Sequence, residues 1–329
     1  MELHIIGEIA AIVVSLFWSL CSILFAYAGK RIGVWSLNAI RMLMALGLLS
    51  AAHIIVLGTI IPAANQGQWF YLGLSGIIGL SLGDLGYFGC LVCLGPRKGV
   101  LVMSTNPIFS AIIGFAVLHE VLEIWAIVGM ALCLVGVAWV IMEVEPEQEK
   151  TQDKKGSKTK AKAPEVSSGL GLSEKKKKIY GVLLGTAGSV GQGVGVVISK
   201  YGMITAASDP DVALNPLSAT FMRILVALIF FWVGMLVIGK MPEVMKGFKD
   251  RKAVSSMFGG AIFGPFMGVW LSMVAISYAL VGIASTLMSL MPIMIIPIVF
   301  ILYRQKTNWR GIVGACIAIL GVAIIFLTP

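Results

Sequence analysis

Residues 103–108 read MSTNPI, and residues 288–293 read MSLMPI. The shift of 185 that joins them holds without a gap from residues 72–140 to residues 257–325. It lays Gly79 on Gly264, Gly83 on Gly268, Ser104 on Ser289, Pro107 on Pro292, Gly129 on Gly314 and Gly136 on Gly321. Lys30 and Arg41 find counterparts in Lys200 and Arg223 at shifts of 170 and 182, so the second connection is 12 residues longer. The chain reads as one block of apolar segments written twice.

Hydrophobic residues make up 58% of the 329 and charged ones only 12%, too few to cover a water-soluble domain. Helices of about 20 apolar residues match the ~30 Å hydrocarbon core of a bilayer. The pattern predicts an all-α integral membrane protein with ten transmembrane helices. They are residues 5–28, 36–58, 69–94, 98–118 and 122–142, then 179–199, 214–238, 254–280, 282–303 and 309–328. Five per repeat, an odd number, makes the two repeats inverted. The first run is too long for a secretory signal, has no basic segment before it and ends in no convincing cleavage site.

This gives two five-helix domains, 1–142 and 179–329, joined by residues 143–178, which hold ten lysines and seven acidic residues. So little apolar surface does not offset the entropy of ordering, and a disordered tether is expected. With ten spans, nearly all loop Lys and Arg fall on the tether's side and Lys200 alone on the other. The positive-inside rule then puts the tether in the cytoplasm of a plasma-membrane protein, with both termini outside. The net charge of +9 is thereby explained by topology, with no nucleic-acid partner. Cys21, Cys90, Cys93, Cys133 and Cys316 all lie in apolar runs, where cysteine is a small packing residue, and no metal site or cofactor is called for.

Glycines recur every three or four residues in the third, sixth and eighth helices, a spacing that lets helix backbones approach closely in lipid. Gly83 and Gly268 are candidate sliding positions. Pro107 and Pro292 fall mid-span in the fourth and ninth helices, with Pro297 one turn beyond. Each frees a carbonyl that hydrocarbon does not tolerate, as at kinks that line a cavity.

Asp84 is the one aspartate inside a span. A lone carboxylate there costs about 2.5–3.5 kcal/mol on insertion scales, so it needs a partner, a proton or water, and it is the candidate for proton coupling. Arg41 and Arg223 must point inward or snorkel, and either suits a carboxylate or phosphate. Asn38 shares the face of Arg41. Ser22, Tyr87, Ser104, Asn106, Gln192 and Ser289 are further candidate substrate-binding residues, and Trp18 and Trp270 offer faces for stacking. Glu8, His119, Glu120 and Glu123 sit near span ends, where solvated caps are expected.

SLFWSL in the first helix, Arg41 in the second, NPIFSAIIGFAVLHEVL in the fourth and IVGMALCLVGVAWVI in the fifth together resemble the drug/metabolite transporter superfamily, specifically its ten-helix EamA-type members. The resemblance covers residues 5–142 and 179–328. It implies alternating-access movement of a small metabolite, amino acid or drug through a central cavity, often as export and often by proton coupling or exchange. Two-fold repeats of this kind hold substrate at their seam. Glu120 is matched by Gln305, where the family often keeps a glutamate, so Glu120 looks structural. Direct ATP coupling has no phosphate-binding loop to serve it. An intramembrane protease needs a second carboxylate, and Asp153, Asp209, Asp211 and Asp250 lie in linker or loops. A lipid-handling membrane protein of the same fold is the alternative. Expected partners are a small-molecule substrate and the lipid bilayer; monomer and homodimer are both compatible with the sequence.

Overall fold

The computed structural model describes residues 2–94, 96–143, 174–204, 213–303 and 309–328. All regular secondary structure among them is helical. Residues 144–173, most of the expected tether, lie outside the described residues, as do Asp209, Asp211 and Gln305.

The first element, α1 (Glu2–Leu57), is a continuous run of 56 residues bent at Gly33, where φ is 78° and ψ is 165°. Only glycine adopts that backbone without strain, so the expected loop after residue 28 is a bend between two limbs, residues 2–32 and 34–57. Next come α2 (Gln66–Ser75), a wider π-helical stretch (Gly76–Gly83) and α3 (Asp84–Leu94), which follow one another directly. A capping box starts this composite helix: Asn65 Oδ1 accepts from Gln68 N at 2.7 Å, and Gln68 Oε1 accepts from Asn65 N at 3.0 Å. The first half ends with α4 (Pro96–Met103), α5 (Asn106–Leu118) and α6 (Ile124–Glu143).

The second half opens with α7 (Glu174–Ile204), α8 (Pro216–Val237) and the short α9 (Met241–Gly247). A second composite follows: α10 (Arg251–Ala261), a π-helical stretch (Ile262–Phe266) and α11 (Met267–Tyr278). The last elements are α12 (Val281–Met288), α13 (Met291–Tyr303) and α14 (Trp309–Leu327). Because α7 starts at Glu174, residues 174–178 are helical rather than part of a disordered tether. Lys and Glu are good helix formers and extend the apolar helix beyond its membrane-sized core. Among the described residues seven helical stretches are long and apolar enough to cross a membrane, and Gly311–Leu327 is apolar but shorter.

Contacts between elements recur under the sequence shifts. A Cβ on Gly129 would lie 2.8 Å from the Gly321 carbonyl oxygen, and one on Gly136 would lie 2.6 Å from that of Gly314. The shift of 185 carries Gly129 to Gly314 and Gly136 to Gly321, so α6 and α14 make the same contact twice and run antiparallel. Between them Cys133 Sγ donates to Ala318 O, its own counterpart. Likewise Gly79 packs on Gly191 and Gly195 of α7, while its counterpart Gly264 packs on Cys21 and Phe25 of α1, 170 positions earlier.

The two prolines expected to kink helices each follow a two-residue turn whose backbone stays in the right-handed helical region. α4 stops at Met103 and α5 restarts at Asn106; α12 stops at Met288 and α13 restarts at Met291. Pro107 and Pro292 therefore stand in the first turn of a new helix, where the missing N–H has no helical partner to lose. Tight bonds close both turns at the same register: Thr105 N to Val102 O at 3.1 Å, and Leu290 N to Leu287 O at 3.2 Å. Pro297 stays inside α13.

Candidate functional site

Asp84 stands where the first π-helical stretch hands over to α3. Such stretches often mark functional positions. Its Oδ2 accepts from Arg41 Nη2 of α1, and its Oδ1 accepts from Gln192 Nε2 of α7 at 3.0 Å. The carboxylate thus ties the first half of the chain to the second. Both side chains of the ion pair are 14% exposed. Arg41 Nε in turn donates to Asn38 Oδ1 at 2.8 Å, and Asn38 is buried. An i, i+3 spacing puts these two on one helical face, so Arg41 meets both partners without leaving the bundle.

Arg223 of α8 is 2% exposed. Its Nη1 donates to Met273 Sδ at 3.0 Å, a weak acceptor for a full charge, and its Nε has no partner among the described residues. Gly79 gives the guanidinium its room, since a Cβ there would lie 3.6 Å from Nη2. Asp84 lies within electrostatic reach of it. Two guanidinium groups thus face one carboxylate, leaving an excess of positive charge in the interior.

Other predicted residues stand at the edge of this cluster. Gly83 packs against Gln192, and Gly268 packs against the indole of Trp18. Asn106 lies against Gly193, next to Gln192, and accepts from Ser110 Oγ at 3.2 Å. Tyr87 is half-buried one turn along α3. Ser22, Ser104 and Ser289 are not drawn in: each hydroxyl donates to a carbonyl of its own helix, those of Ser19, Val100 and Thr286. Trp270 packs on Phe266, 6.1 Å between ring centroids.

Two expected caps are buried instead. Glu120 Oε1 accepts from Lys200 Nζ at 2.6 Å, with the two side chains 10% and 12% exposed. Lys200, expected in a loop, lies within α7. Its ammonium also donates to Ala279 O at 2.7 Å, and Glu120 Oε2 accepts from Val281 N at 2.7 Å. The pair closes one end of the bundle across the α11–α12 junction. The other is Glu8, 2% exposed in the first limb of α1, where the helix turns it inward.

Sequence reasoning passed over Ser19 and Ser189, both fully buried. Ser19 Oγ donates to Met291 O at 2.9 Å, and Ser189 Oγ donates to Val102 O at 3.0 Å. They are 170 positions apart, and each fastens the interrupted helix of the opposite half. Extending the repeat to its serines is the signal that finds them. His53 was also missed; it bridges Thr59 O at 2.6 Å and Ser218 Oγ at 2.9 Å.

A family model described as the EamA-like transporter family matches residues 5–142 and 179–327. The chain belongs to the EamA-like transporter family. EamA proteins are part of the drug/metabolite transporter superfamily, so this EamA chain is a multi-pass membrane transporter of that type. A solved crystal structure is similar in fold, with a TM-score of 0.71 over 98% of this chain and 96% of its own, at 14% identity. No curated protein gives a significant match.

Proposed function

We propose that this EamA transporter is a secondary active carrier that moves a small metabolite, amino acid or drug-like compound bearing a carboxylate or phosphate across the plasma membrane by alternating access. The observation that carries the reading is Asp84 held between Arg41 of one half and Gln192 of the other. An anion that takes Arg41, with Arg223 as its second partner, leaves Asp84 to be neutralised by a proton and frees Gln192. Substrate binding, proton binding and the release of one half from the other are then one event.

In this reading ten segments cross the bilayer as two inverted five-helix repeats. They are the two limbs of α1, the composites α2–α3 and α10–α11, the paired helices α4–α5 and α12–α13, and α6, α7, α8 and α14. The reciprocal glycine contacts support this arrangement. The tether lies in the cytoplasm and the termini outside, and the protein acts as an exporter or as a proton-coupled or exchange carrier. Asn38, Tyr87, Asn106 and Trp18 line the path beside the arginines, with Ser22, Ser104, Ser289 and Trp270 in its outer wall. Pro107, Pro292, Pro297, Gly83 and Gly268 act as gating positions.

Reconstitution into vesicles tests the reading. Flux of carboxylate-bearing solutes that responds to an imposed pH gradient is expected. Lipid scrambling without solute flux would overturn it in favour of a lipid-handling protein.

A further inference from the structure

Glu8 is buried at 98% and its Oε2 meets no hydrogen-bond donor among the described residues. It lines a cavity of about 330 Å³ between the start of α1, the start of α6 and the α11–α12 junction. His4 and Glu123 stand on the same wall, and Val121, Leu280 and Ile283 make the rest largely apolar. Lys200, which reaches the cavity-lining Ala279, is already committed to Glu120 and to the carbonyl of Ala279. An unpaired buried carboxylate is unfavourable unless it takes up a proton, so a group that supplies a positive charge to it relieves part of that penalty.

We propose that this cavity is a binding site for a small alkylammonium ion, with Glu8 as its counter-charge, Glu123 as a second carboxylate at the mouth and the apolar wall for the alkyl chain. A divalent metal fits less well, because no three His, Cys, Asp or Glu side chains converge among the described residues. The volume is at the small end of ligand pockets, about 300–1,000 Å³, and suits a short chain. The site is separate from the Arg41–Asp84–Arg223 cluster and of opposite charge, so it does not depend on the anion reading above.

The test uses the purified full-length protein in detergent, titrated with butylammonium chloride against sodium chloride of equal ionic strength and read as thermal unfolding. The wild type should show a saturable rise in Tm that sodium does not give. Glu8→Gln, which keeps size and removes charge, should lose the rise or need at least about tenfold more ligand. Val121→Trp narrows the cavity from an exposed position and should also lose the rise while keeping the basal Tm. No rise in the wild type, or an equal rise in both variants, overturns the proposal. Transport is not read, so this outcome stands apart from any vesicle assay.

Discussion

Lys200 Nζ and Glu120 Oε1 sit 2.6 Å apart, and each partner also holds one backbone group of the turn between α11 and α12. Removing either charge strands the other out of water. Lys200→Met or Glu120→Gln should destabilise the protein by about 3–5 kcal/mol, and the double variant Lys200→Met/Glu120→Leu by much less than the two together. Denaturant unfolding in detergent measures both. Additive losses would show that the pair is not coupled.

Asp84→Asn keeps the bond from Gln192 within reach but removes the charge that Arg41 holds. Gradient-driven uptake should disappear while exchange of substrate on one side for substrate on the other persists. Counterflow and pH-jump assays on the same vesicles separate the two. Undiminished driven uptake would remove Asp84 from the coupling step.

Arg223→Met should lower affinity for an anionic substrate by about 10- to 100-fold, the worth of a hydrogen bond to a charged group. Methionine fills a similar volume and leaves no stranded charge. Equilibrium binding reads this, and neutral solutes should be unaffected.

Gly136→Ala places a methyl group 2.6 Å from a backbone oxygen of α14, so the two helices must part. A loss of about 1–3 kcal/mol is expected. Gly268→Ala meets both the Trp18 ring and, at 2.7 Å, the backbone oxygen of Phe263, so it too should lower Tm. Its transport rate should fall by more than that of Gly136→Ala; an equal or smaller fall would show that this face does not slide.

Asp250 lies outside the spans and caps α10. The N–H of Ala253, and then the Arg31 guanidinium, hold its carboxyl below the ordinary range. The unfolded chain therefore binds this proton at higher pH than the folded one. The resulting stabilisation is complete above about pH 4 and fades as pH falls through the lower folded value. Asp250→Asn should lower Tm at neutral pH and converge with the wild type in acid.

Much of this architecture was legible because a repeat constrains itself: a feature written twice at one shift is hard to mistake. The positions of Asp84, Arg41 and Gln192 were readable as polar residues in apolar runs, yet nothing in the sequence says that they meet, since the contacts join helices 43 and 108 positions apart. Burial of Glu8 and Glu120 was unreadable for a related reason. A charge near the end of an apolar run looks the same whether its neighbour is water or another helix. The helix breaks before Pro107 and Pro292 were blurred because proline is compatible with both a kink and a fresh start.

Those breaks have an electrical consequence. A break between two helices exposes the positive N-terminal end of the second and the negative C-terminal end of the first, each about half a unit charge, and here it happens twice, before α5 and before α13. The first abuts α7 beside Gln192, and the second is pinned by Ser19 next to Trp18. The backbone therefore sets a pair of opposite partial charges beside Gln192 and another beside Trp18 before any side chain is counted.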